Sequence, residues 1–127
     1  MTRSETGLIN TANPMEKIET LGQFEQLVLL ATYLLGGEGY SVSIRDEVNA
    51  RSSKRVMLGA VYVSLERLER RGLVSSHFAE PTPIRGGKAK RYFKVTPAGE
   101  RALALAKQYA RQLVETLNAL EEKAKAI

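Results

Sequence analysis

The sequence predicts a mostly α-helical fold with one small β-hairpin and a long C-terminal helix. Three observations predict it. Apolar residues recur at helical spacing in three segments between Leu21 and Gly72. Two extended runs, residues 73–78 and 90–95, enclose a stretch rich in proline and glycine. The final residues carry an apolar seam that steps alternately by three and four.

At 127 residues the chain fits one domain with an appended helix, long enough to bury a core without covalent staples. It has no cysteine, which excludes disulfides, thiolate metal sites and cysteine nucleophiles. No apolar leader follows a basic start. The longest apolar stretch, residues 27–35, is interrupted by Thr32 and is too short to cross a bilayer. The expectation is a cytoplasmic protein without a membrane partner. The net charge of +5 is uneven: residues 1–40 carry −3, residues 96–127 carry +1, and residues 41–95 set twelve Lys and Arg against five Asp and Glu for +7. A basic excess confined to the middle of the chain points to a polyanionic partner more strongly than the overall pI does.

Taken in order, residues 1–19 lack periodicity and contain Thr, Asn, Ser and Pro14, the pattern of a disordered arm. Residues 21–35 form the first helix, with Phe24, Leu27, Val28, Ala31, Leu34 and Leu35 on a wide apolar face and Leu30 and Tyr33 elsewhere on the wheel. It ends at Gly36-Gly37. Residues 40–51 form the second helix, capped by Ser41 or Ser43. A polar turn follows, leading into Val56-Met57, which fits a very short strand.

The third helix, residues 59–71, places Val61, Leu65 and Leu68 on one face and Ala60, Ser64, Arg67 and Arg71 on another, and Gly72 stops it. Leu73 onward is extended. Residues 80–90 form a hairpin tip with Arg85, Lys88, Lys90 and Arg91 clustered at it. In the returning strand Phe93 and Val95 share one side and Tyr92 and Lys94 the other. Thr96 is the N-cap and Pro97 the first residue of the last helix, with Gly99 where a capping box would place its acid. Leu103, Ala106, Ala110, Leu113, Leu117, Leu120, Ala124 and Ile127 form a heptad seam. A helix of about 29 residues spans about 43 Å, longer than so small a domain covers, which favours dimerisation through it.

Helix, helix, helix and basic-tipped hairpin make a winged helix-turn-helix over residues 20–96, with residues 97–127 as a dimerisation helix. A third helix that is small at its start and cationic further on suits insertion into a DNA groove, where small residues allow close approach and arginines reach phosphates or guanine edges. The same face also fits a solvated surface. Lys54 and Arg55 are candidate phosphate contacts, Ser64 and Arg67 the best base-proximal candidates, and Ala60 and Tyr62 lie beside them. Tyr62 equally fits a buried ring with a locally satisfied hydroxyl. DNA would repel Glu66 and Glu69, so they must turn away or pair with arginines, and the first turns must lead.

Gly59-Ala60-Val61-Tyr62 with Leu65, Leu68-Glu69 and Gly72-Leu73-Val74, then a glycine-rich basic loop, the strand Lys90-Arg91-Tyr92-Phe93-Lys94-Val95-Thr96, and Gly99 together resemble the PadR family of bacterial transcription regulators. The resemblance covers roughly residues 21–105, and the single C-terminal helix is similar to the family's short-form branch. It differs at Ala60 and Val61, where members often carry a small polar residue and a leucine. It implies a homodimeric repressor with the third helix in the major groove, the wing (residues 80–90) on the minor groove or backbone, and the last helix crossing onto the partner's first. Leu103, Ala106, Ala110, Leu113, Leu117 and Leu120, with Phe24, are the expected dimer contacts. The operator would be a pseudo-palindrome. Relatives respond to phenolic acids or hydrophobic drugs, so a small hydrophobic or aromatic effector between the first and last helices, near Phe24 and Tyr109, is a further expectation.

Enzymatic signals are missing. Gly86-Gly87-Lys88 fails as a phosphate loop, since Ala89 follows the lysine and Thr82 stands at the first glycine. His77, the one histidine, has no carboxylate at metal spacing, so neither cofactor nor metal is expected. The alternative from another class is a winged-helix module that binds protein without specific DNA binding.

Overall fold

A computed structural model describes residues 21–53, 55–79 and 89–126. Among these the elements are α1 (Gln23–Leu34), α2 (Ser41–Arg51), α3 (Leu58–Arg70), β1 (Val74–Phe78), β2 (Arg91–Val95) and α4 (Pro97–Ala126). The mostly helical fold, the hairpin and the long last helix are those the sequence predicts. The arm at residues 1–19 and Ile127 of the seam lie outside the described residues.

One core joins α1, α2, α3 and the hairpin: Val28, Leu29, Ile44, Val48, Val61, Leu65, Leu68 and Phe93 are all buried. The alternation in β2 follows, with Phe93 and Val95 inward. In α1 the buried stripe is Val28, Leu29, Ala31 and Thr32, whereas Leu34 is exposed. The stripe is thus rotated from the expected one, because Thr32 is admitted to the core by donating its hydroxyl to the Val28 carbonyl at 2.7 Å. Tyr40 is the N-cap residue of α2, and Ser43 reaches back to accept its N–H at 3.0 Å. The cap serine is therefore Ser43, acting from inside the first turn.

The turn between α2 and α3 is irregular. Val56-Met57 forms no strand; instead the Val56 N–H is held by the Asn49 side-chain oxygen at 2.7 Å. β1 and β2 pair antiparallel with Val74 opposite Val95 and Phe78 opposite Arg91. The open edge of β2 is closed by the segment before α2, where the Phe93 N–H donates to the Gly39 carbonyl at 2.8 Å.

α3 ends in a Schellman motif. The Leu73 N–H bonds the Leu68 carbonyl at 2.9 Å and the Gly72 N–H the Glu69 carbonyl at 2.9 Å, with Gly72 at φ +77°. The Leu73 carbonyl then accepts the Thr96 N–H at 3.0 Å. Thr96 caps α4 by accepting the Gly99 N–H at 3.1 Å, and donates its own hydroxyl to the Gly72 carbonyl at 2.7 Å. Gly99 is there because nothing larger fits: a β-carbon would stand 2.1 Å from the Leu73 carbonyl oxygen and 2.7 Å from Val95 Cγ1.

Gly99→Ala is accordingly expected to lower stability by about 1–3 kcal/mol. Gly59, on α3, is the control: a β-carbon there meets nothing within 4 Å, and Gly59→Ala should be neutral or stabilising by up to about 1 kcal/mol. Chemical denaturation of both variants checks the pair, and equal shifts would refute the steric account.

Candidate nucleic-acid interface

With Val61, Leu65 and Leu68 turned into the core, the outward face of α3 is set by geometry. Gly59, Ala60, Val63, Arg67 and Arg70 recur three or four residues apart on it and are exposed. Ser64 does not belong there. It is only 4% exposed and lies on the core side with Val61 and Leu65. The expectation that Ser64 approaches bases is therefore corrected: its small side chain fits at the edge of the packed stripe. Val63 and Arg70, which the stripe of small and basic residues left out, point outward instead.

Glu66 and Glu69 lie on the flank of α3 that faces the hairpin, where Arg91 meets both. Its Nη1 reaches Glu66 at 2.7 Å and its Nη2 pairs with Glu69. Nη1 also donates to the Tyr62 hydroxyl at 3.0 Å, and Nε to the Ser76 hydroxyl at 3.1 Å, which in turn donates to Glu69 at 2.8 Å. All three guanidinium nitrogens are thus engaged within the domain, and the planar fork suits two carboxylates at once. Arg91, which the sequence groups with the tip as a DNA contact, sits at the wing's root, tying the hairpin to α3.

The cluster shifts its members' protonation. The hydrogen bond from Arg91, then that from Tyr62, holds the Glu66 carboxyl below the ordinary glutamate value. The hydrogen bond to Glu66, with some burial, holds the Tyr62 hydroxyl above its ordinary value, and Arg91 opposes this. Tyr62 is exposed with its hydroxyl satisfied locally, an arrangement between its two expected ones.

The other candidates divide. Arg55 is exposed just before α3, and Arg67 is exposed on it. Lys90 is exposed with its ammonium 4.3 Å above the Tyr40 ring. Tyr92 bridges Tyr40 and His77, with both ring centroids 5.9 Å away. Lys54, Arg85 and Lys88 lie outside the described residues. Arg71, at the end of α3, reaches Glu25 of α1 at 3.4 Å.

α1, the end of α2 and the first half of α4 border an open groove of about 900 Å³, with Leu27, Leu30, Tyr33, Leu103, Ala106 and Ala110 among its apolar lining. Phe24 and Tyr109 are not part of it. Phe24, Leu27 and Leu103 are half-buried and pack against the chain's own core with part of their surface. Ala110, Leu113, Leu117 and Leu120 are exposed. Among the described residues no helix is long and apolar enough to cross a membrane, and no cluster of His, Cys, Asp or Glu has the makings of a metal site.

The profile of the "Transcriptional regulator PadR-like family" matches residues 30–105. The chain is similar to a PadR-like transcription factor from Bacteroides fragilis, with 25% identity over 84% of this chain and 94% of that one and a TM-score of 0.66. It is similar to a PadR family transcription regulator from Clostridium difficile R20291, at 25% identity over 75% and 96% with a TM-score of 0.62. A PadR-like regulator from Bacillus cereus shares the fold at 22% identity, covering 76% and 89%, TM-score 0.60. No curated protein matches the chain.

Because the folded-state value of Glu66 is depressed, the stability it adds is complete above the ordinary glutamate value and is lost as pH falls through the depressed one. A carbon-detected NMR titration is expected to place the Glu66 carboxyl below the ordinary value, and Arg91→Ala to return it upward. A normal value in the unaltered protein would sink the clamp.

Proposed function

The chain belongs to the PadR-like family of transcriptional regulators, DNA-binding proteins rather than enzymes, and from that premise we propose that it is a homodimeric repressor of a pseudo-palindromic operator. Residues 20–96 bind DNA and residues 97–127 dimerise. α3 enters the major groove and the wing, residues 80–90, lies on the backbone or minor groove. The observation that carries this reading is the outward face of α3: exposed, small at its start, cationic at Arg67 and Arg70, with its two acids drawn aside onto Arg91. Arg55, Arg67 and Lys90 contact DNA directly. Arg91 acts as a positioning residue that fixes the wing against α3. Lys54, Arg85 and Lys88 belong to the same proposal as further DNA contacts.

Dimerisation has its own support. From Lys107 through Ala126 every residue of α4 is exposed, including Leu113, Leu117 and Leu120. Burying each such leucine contributes about 1.5–3 kcal/mol. Two copies of the three leucines therefore contribute enough to offset an association cost of about 4–15 kcal/mol. The partner's α4 covers the groove beside α1, and the remaining apolar space between them suits a small hydrophobic or aromatic effector. A protein-binding module without specific DNA binding is the competing reading. It has less support, because an arginine-bordered face fits a polyanion better.

Salt separates the two. About six phosphate contacts give a log–log slope of affinity against salt near −5, and footprints are expected to show two-fold symmetry with half-sites about one helical turn apart. No preference for duplex from the gene's own upstream region over random duplex at moderate salt would exclude the repressor. Leu113→Asp with Leu117→Asp is expected to yield monomers in sedimentation and at least a tenfold loss of DNA affinity; an unchanged dimer would place the interface elsewhere.

A further inference from the structure

We infer that α3 reads its operator through the 5-methyl groups of thymines, which dock on an apolar pad formed by Met57, Ala60 and Val63 beside Gly59. The inference rests on the DNA-binding reading above and adds the chemistry by which sequence is recognised. Met57 is 75% exposed and Val63 50%, so neither is held by the core. Together with Gly59 and Ala60 they form an apolar part of the exposed surface at the start of α3, and none of these side chains carries a hydrogen-bond donor.

The polar groups stand elsewhere. Tyr62 is turned to Arg91, and Arg67 and Arg70 begin one to two turns later. α3 contains no Asn or Gln, the residues that grip adenine by two hydrogen bonds. What apolar side chains distinguish in a major groove is thymine, whose methyl group projects from the floor. Gly59 fits the same picture: a β-carbon there meets no protein atom within 4 Å, so the fold does not require glycine, while a bare backbone lets the helix approach the base edges. The occupant is DNA rather than an apolar protein surface because the pad is bordered by Arg55, Arg67 and Arg70, in the segment that carries the +7 excess.

The test is selection by the full chain from random duplexes of about two helical turns, prepared in parallel with thymidine or with deoxyuridine. The thymidine pool is expected to yield a motif with thymines in each half-site. Replacing one such thymine by deoxyuridine in the selected duplex should weaken binding about fourfold for each methyl buried. Val63→Ser should bring that thymine-to-uracil ratio toward one, with circular dichroism confirming an intact fold. Equal binding of the fully deoxyuridine duplex overturns the methyl readout alone. Retention of no duplex even at low salt overturns the DNA-binding reading and this inference with it.

Discussion

The fold turns on the Leu73 carbonyl. It lies where α3 has just ended, β1 is about to begin and α4 starts, and it accepts the Thr96 N–H while the bare Gly99 backbone packs against it. Gly72 makes this arrangement accessible by taking a positive φ that closes the Schellman motif. The Thr96 hydroxyl uses both its capacities here, capping α4 and donating to Gly72. The end of α3 and the start of α4 are thereby joined through main-chain groups and one short side chain, that of Thr96.

A second constraint operates at the other flank of α3. A helix presented to DNA with two glutamates on it would be repelled, and the fold resolves this by bringing one arginine from β2 across to both. The wing and the helix then share a single charged joint, which also takes in Tyr62 and Ser76. This joint explains why Arg91, at the base of a basic loop, differs in role from Lys90 beside it.

Much of this was legible in the sequence because the signals are local. Helical period revealed α1, α2, α3 and α4. Gly72 and Thr96 announced their own roles through backbone chemistry that needs only neighbouring residues. Glu66 and Glu69 demanded cationic partners on electrostatic grounds alone. What escaped was set by distant contacts. Ser64 is small enough to lie on either side of a stripe boundary, and only the packing partners decide it. Arg91 meets residues 22 to 29 positions earlier, a pairing that no periodicity encodes. The Gly39 bridge to Phe93 carries no pattern at all, since it is one pair of backbone groups.

The Arg91 cluster leaves α3 electrically lopsided about its own axis. Along the hairpin flank, two carboxylates surround one guanidinium, with Arg70 close enough to act on Glu66; further round the helix Arg67 stands exposed. A cylinder charged in this way feels a torque near a polyanion, rolling until its arginine side faces the nearer strand of phosphates. If α3 docks as proposed, the ion cluster on its hairpin flank biases that roll, so a joint built for stability also bears on how the helix would be presented.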